Sequence, residues 1–155
     1  MKKMMMVALF AIFTMSTYAQ QTKDEIAIIQ AAYGMQKREL VSKFMNISEA
    51  QSATFWKLYE EYEVARKAIG TKRANNILEY AKKYDAITDE NVQNMVKVSM
   101  EVNKEFNALW EKTYKKMAKS LSPKTAAKFY QLEMYLETMI RSELSESIPM
   151  IDELK

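Results

Sequence analysis

The sequence predicts an all-helical protein, on three observations. Its 155 residues include only two glycines and two prolines (Gly34, Gly70, Pro123 and Pro149), so long stretches are free of helix breakers. Hydroxyl residues precede several apolar stretches in the manner of helix N-caps. Apolar residues then recur at alternating steps of three and four, the period of one helix face, and no segment alternates as a strand does. A chain of this length reads as one domain with a core of its own. It has no cysteine, so disulfides do not contribute.

The first residues read as a targeting segment. Lys2 and Lys3 form a basic start, Met4 to Met15 an apolar run, and Ser16, Thr17 and Ala19 a small-residue cleavage point. This is the layout of a secretory signal peptide over residues 1–19, cut after Ala19. The run is shorter than the roughly 20 apolar residues that span a bilayer, and no cysteine is present for lipidation. The expectation is an exported, soluble chain: residues 20–148 as one helical domain and 149–155 as a loose tail. Cleavage removes Lys2 and Lys3 and leaves basic and acidic residues nearly balanced, which does not support nucleic-acid binding through bulk charge.

Five helices are expected. The first runs from about Lys23 to Met45 behind a capping box at Thr22 and Glu25, with Ile26, Ile29, Tyr33, Leu40 and Phe44 inward. Gly34 within it costs about 1 kcal/mol relative to alanine. The second starts at Ser48, with Gln51 at N3 closing another capping box. Phe55, Tyr59, Tyr62 and Ile69 form its inner stripe, Glu63 and Lys67 an outer ion pair, and Gly70 its stop. The third, about Lys72 to Asp85, turns Ile77, Ala81 and Tyr84 inward. The fourth follows Thr88 as cap and runs from Asp89 to about Lys119. Its stripe is Val92, Met95, Ser99, Val102, Phe106, Leu109 and Thr113, widened by Val96, Trp110 and Met117. At about 1.5 Å per residue it is some 45 Å long, which predicts an elongated bundle or hairpin with coiled-coil-like seams, and favours dimerisation. The fifth starts at Ser122 with Pro123 at N1, buries Phe129, Leu132, Leu136, Met139 and Ile140, and ends before Pro149.

Two helix starts are alike: Ile47-Ser48-Glu49-Ala50-Gln51 and Leu121-Ser122-Pro123-Lys124-Thr125. They resemble the paired Leu-Thr-x-x-Gln motifs of the Spy/CpxP family of periplasmic helical proteins, over roughly residues 46–140. Serine replaces threonine at both caps, and Thr125 stands where the family has glutamine and is too short to close a capping box. The resemblance implies a curved, cradle-like homodimer in the periplasm. It implies either an ATP-independent chaperone that holds unfolded clients, or a partner that docks on a membrane sensor or anti-sigma component in envelope stress. The motif residues Ile47, Ser48, Gln51, Leu121, Ser122 and Thr125 are structural in that family.

Residue chemistry points the same way. Without cysteine or histidine, thiol and Ser–His–Asp catalysis and thiolate or imidazole zinc sites are excluded. No enzymatic activity, cofactor or small-molecule substrate is expected. Metal sensing would have only carboxylates and methionines as ligands. Glu60, Glu61 and Glu63, and Glu101 with Glu105, lie among lysines and read as ion pairs. The expected client or partner surface draws on methionines placed off the apolar stripes, Met100 and Met134. It also draws on a basic cluster with an aromatic, Lys112, Tyr114, Lys115, Lys116 and Lys119, with Lys82, Lys83, Lys124 and Lys128 expected nearby. Met95, Met117 and Met139 are assigned to the core.

Overall fold

A computed structural model describes residues 36–151 of the chain. The expected signal peptide, the expected capping box at Thr22, Gly34 and residues 152–155 lie outside the described residues. The chain divides into two compact units, Met1–Leu40 and Val41–Lys155. Helix α1 covers residues 36–45, α2 Glu49–Lys83, α3 Asp89–Ser120 and α4 Pro123–Ser147, with a 3₁₀ turn at Tyr84–Ala86. The protein is all-helical, and no strand occurs among the described residues. No helix among them is long and apolar enough to cross a membrane.

Helices α2, α3 and α4 form an up-down-up bundle in the second unit. Cross-helix contacts give the directions. Tyr62, Arg73 and Tyr80 of α2 reach Glu133, Glu137 and Pro149 in rising order, so α2 and α4 run parallel. Asn76 Nδ2 donates to the Met95 carbonyl at 3.0 Å and Lys116 Nζ to Glu61 at 2.7 Å, so α3 runs antiparallel to α2. The core is aromatic. Phe129 of α4 meets Phe55, Tyr59 and Tyr62 of α2 edge-on, with ring centroids 6.0, 6.2 and 5.3 Å away, the geometry that the ring quadrupoles favour. Val102, Phe106, Trp110 and Met117 of α3 complete it, with Ala126 and Leu132 of α4.

The expected second and third helices are one. Gly70 lies inside α2, and no glycine among the described residues has positive φ, so it forms no left-handed cap. The inward face continues through it. Ile69 is buried, Arg73 pairs with Glu137 at 2.5 Å, Asn76 bonds Met95, and Tyr80 donates to the Pro149 carbonyl at 2.8 Å. Steps of four, three and four carry the stripe past the glycine with polar side chains. Four helices are therefore described, not five. Ala81 is exposed, and Ile77 and Tyr84 are only half-buried.

In α1 the buried positions are Lys37, Val41 and Met45, while Phe44 is 46% exposed. The buried face is thus one residue out of step with the expected Leu40/Phe44 stripe. Lys128 Nζ stands 5.1 Å from the centre of the Phe44 ring and donates to the Met45 carbonyl at 3.1 Å. A cation over the ring lets Phe44 stay at the surface. Asn46, at φ 47°, ends the helix in the left-handed region, which asparagine tolerates.

The three caps differ for one reason. At Thr88 and Ser122 the backbone carbonyl takes the amide four residues on, from Val92 and Ala126. That leaves the N3 amides of Asn91 and Thr125 for the side-chain oxygens, at 3.3 and 3.0 Å. At Ser48 the carbonyl takes the Gln51 amide itself, at 3.0 Å. The donor that a capping box needs is already used, and the Ser48 side chain makes no cap hydrogen bond. The second motif closes differently from the family pattern: Ser122 Oγ donates to Thr125 Oγ1 at 2.9 Å. The described part of the tail is tied down, since Tyr80 and Tyr84 hydroxyls donate to the Pro149 and Met150 carbonyls, each at 2.8 Å.

Two stability measurements check this account by urea unfolding. Gly70→Ala should stabilise the protein, by up to about 1 kcal/mol; a loss would mean that the helix breaks there. Ser122→Ala should cost about 1 kcal/mol, whereas Ser48→Ala should lie within a few tenths.

Candidate functional site

A long helix with two neighbours has two outer grooves, and here they differ in chemistry. Around α3, at about 100° per residue, Val96, Met100, Asn107 and Tyr114 fall within about 40° of one another. Val96 is 45%, Met100 66% and Tyr114 38% exposed. On the facing helix, Tyr130 is 42% exposed and Met134, one turn on, is half-buried. Asn107, Trp110, Glu111, Tyr114 and Tyr130 enclose a shallow cavity of about 420 Å³ between α3 and α4. Trp110 is its floor: the ring is 8% exposed and stacks on Phe106 at 5.5 Å.

The groove between α2 and α3 is smaller, about 90 Å³, and charged. Leu58, Glu61, Ala65, Lys112 and Lys116 line it. Lys116 hydrogen-bonds Glu61, and that bond, with the charges of Lys116, Lys57 and Lys112, holds the Glu61 carboxyl below its ordinary range. Lys115 likewise binds Glu111 one turn back on the same helix and lowers its pKa.

The residues expected to form one binding surface are therefore separated. Tyr114 lines the α3/α4 cavity, whereas Met100 lies on the same face of α3 about 21 Å along the axis from it, and Met134 one turn beyond Tyr130 on α4. Lys112, Lys116 and Lys119 point to the other side of α3, and Lys115 lies between. Lys82 and Lys83 are at the far end of α2, about 30 Å along the axis from Glu61 at 1.5 Å per residue, where both pair with Glu79. Lys128 is engaged with Phe44 and Met45.

Sequence periodicity missed the buried polar chain beneath the groove. Trp110 Nε1 donates to the Tyr62 hydroxyl at 3.2 Å, and Tyr62 donates to Glu133 Oε2. Glu133 is 3% exposed. Glu63 is buried as well, at 7%, and takes two hydrogen bonds from Arg66, at 2.8 and 3.0 Å; it is not half of an outer pair with Lys67. Glu105 pairs with Lys72 across the helices at 2.6 Å. Among the described residues no cluster of three or more acidic side chains is arranged to hold a metal ion.

Burial, and then the neighbouring Glu133 charge, raise the Tyr62 pKa well above 10.0. The unfolded chain loses this proton near 10.0 and the folded chain does not. The stabilisation is therefore complete below pH 10.0 and lost as pH rises above it. Tyr62→Phe should remove this part of the alkaline loss. At neutral pH it should cost about 1–3 kcal/mol, because Glu133 loses a buried donor. Thermal melts of both proteins from pH 7 to 11 measure the two effects.

No protein-family model, curated protein or solved structure matches the chain.

Proposed function

We propose that the protein is an exported, ATP-independent holdase-type chaperone that keeps unfolded polypeptide segments on the groove between α3 and α4. One observation carries this reading: exposed Tyr114 and Tyr130 flank a shallow cavity floored by Trp110, and exposed Met100 and Val96 lie further along the same face of α3. Methionine adapts to varied partners, and tyrosine supplies rigid contact area with a polar tip. The groove is open and shallow, which suits a chain without fixed structure better than a small substrate enclosed on most sides. The expected targeting segment and the paired helix starts, with their resemblance to the Spy/CpxP family, support a periplasmic location for such a protein.

The same reading includes a homodimer. Between residues 71 and 101, and beyond residue 133, no described side chain is fully buried, yet Ile77, Val92, Met95, Leu136, Met139 and Ile140 are half-buried there. A second copy would cover this incomplete core. Docking on one membrane sensor is the competing regulatory role, and recovery of a single stoichiometric membrane partner from the envelope would favour it.

The test is light scattering of a denatured client during dilution. The protein should suppress aggregation at equimolar dimer. The triple variant Met100→Ser/Tyr114→Ala/Tyr130→Ala, all at exposed positions, should bind client about tenfold more weakly, the loss of one hot-spot contact or more. Lys112→Ala/Lys119→Ala should change suppression little. Equal activity of the triple variant would rule out this groove.

A further inference from the structure

The groove has a chemical bias that an indifferent apolar surface lacks. Among the described residues, three of the five that line it are aromatic, Trp110, Tyr114 and Tyr130, Glu111 is the only carboxylate, and none is basic. The α3 lysines Lys112 and Lys116 line the other groove, with Glu61. A cationic segment is thus repelled on one side of α3 and met by a carboxylate and ring faces on the other.

We infer that the α3/α4 groove selects unfolded segments carrying an arginine beside apolar residues, with the guanidinium over the Tyr114–Trp110–Tyr130 rings and against Glu111. This deepens the holdase reading and rests on it. Ring faces attract cations through their quadrupoles. Arginine suits the site better than lysine, because its planar fork stacks on a ring while donating to a carboxylate. The protein uses the same chemistry internally. The Arg73 guanidinium lies 4.5 Å from the centre of the Phe106 ring while bonded to Glu137, and Phe106 itself stacks on Trp110. Glu111 is kept ionised by Lys115, which also competes for it. An incoming arginine exchanges with that lysine, and both partners are largely exposed, at 70% and 64% for Lys115 and Glu111. The exchange therefore needs no repacking.

The experiment uses the full chain with Trp56→Phe, so that Trp110 is the only tryptophan reporter. Three unstructured peptides of the same leucine- and alanine-rich sequence carry arginine, lysine or glutamine at the centre. The arginine peptide should bind about fivefold or more tightly than the glutamine peptide, the range of a cation–π contact, with lysine between. The advantage should shrink with added salt and in Glu111→Gln. It should grow in Lys115→Ala and vanish in Tyr114→Leu/Tyr130→Leu, which keeps the apolar contact. Equal binding of all three peptides overturns the arginine preference and leaves the groove as an apolar holding surface. No change in Trp110 emission and no binding of any peptide overturns the groove reading and this inference together.

Discussion

A buried hydrogen-bonded chain takes one side chain from each helix of the bundle. Trp110 of α3 donates to Tyr62 of α2, and Tyr62 donates to Glu133 of α4. The direction is imposed by chemistry. An indole is only a donor, a carboxylate only an acceptor, and a phenol can be both. With Tyr62 between Trp110 and Glu133, each bond can run in this direction alone. An apolar core accepts small axial slides of one helix past another, whereas this chain does not, because a shift of one residue is about 1.5 Å and leaves a buried polar group unpaired. The same rule acts further along, where Glu137 binds both Arg73 of α2 and Arg141 of its own helix, and Arg141 binds Asn103 of α3 at 2.8 Å. Polar contacts set the register of the three helices, and the aromatic core fills the space that this register defines.

Burial along the bundle is uneven. Every fully buried side chain of the three long helices lies between Phe55 and Ile69, between Val102 and Met117, or between Ala126 and Glu133. The other end is held by side-chain hydrogen bonds, Asn76 to Met95 and Tyr80 and Tyr84 to the chain after α4. Such bonds contribute about 1 kcal/mol each. Burying a large apolar side chain contributes about 1.5–3. Stability is therefore concentrated at the aromatic end. Local opening should start at the far end, where the contacts are few and wet.

This distribution explains what could be read from the sequence. Helices α3 and α4 were legible at both ends, because a hydroxyl cap precedes each and no breaker interrupts them, but their inward stripes were legible only in part: Val96 and Ser99 are exposed, and Leu136, Met139 and Ile140 only half-buried. The stripe Phe55, Tyr59, Tyr62 and Ile69 was legible for the same reason. Past Gly70 the period is carried by Arg73, Asn76 and Tyr80, whose polar heads cross to other helices. A hydrophobic count loses the face there and reads the glycine as an end. Glu63 and Glu133 failed the same way: their burial depends on Arg66 and Tyr62, and partners are not visible in one helix's spacing. The faulty expectation at Ser48 came from the backbone. Whether a carbonyl closes on the third or fourth amide is a matter of local turn geometry, and the residues Ile47-Ser48-Glu49-Ala50-Gln51 permit either.

The site shows a further limit of linear reading. Lys112, Tyr114, Lys115 and Lys116 are close together along the chain and look like one basic-aromatic patch. On a helix, residues two apart are about 200° apart, so Tyr114 and Lys112 or Lys116 necessarily lie on opposite sides. Met100 and Tyr114, fourteen positions apart, share a face. Trp110 then joins this face to the interior, since one side of its ring is the groove floor and its N–H is held by Tyr62. A floor anchored in the core cannot move with whatever rests on it. The exposed side chains at the rim can, because rotamer changes at the surface are fast and small. For the proposed holding of unfolded segments, a rigid aromatic base beneath adaptable methionine and tyrosine edges would lower the ordering cost of binding and still accept segments of different shape.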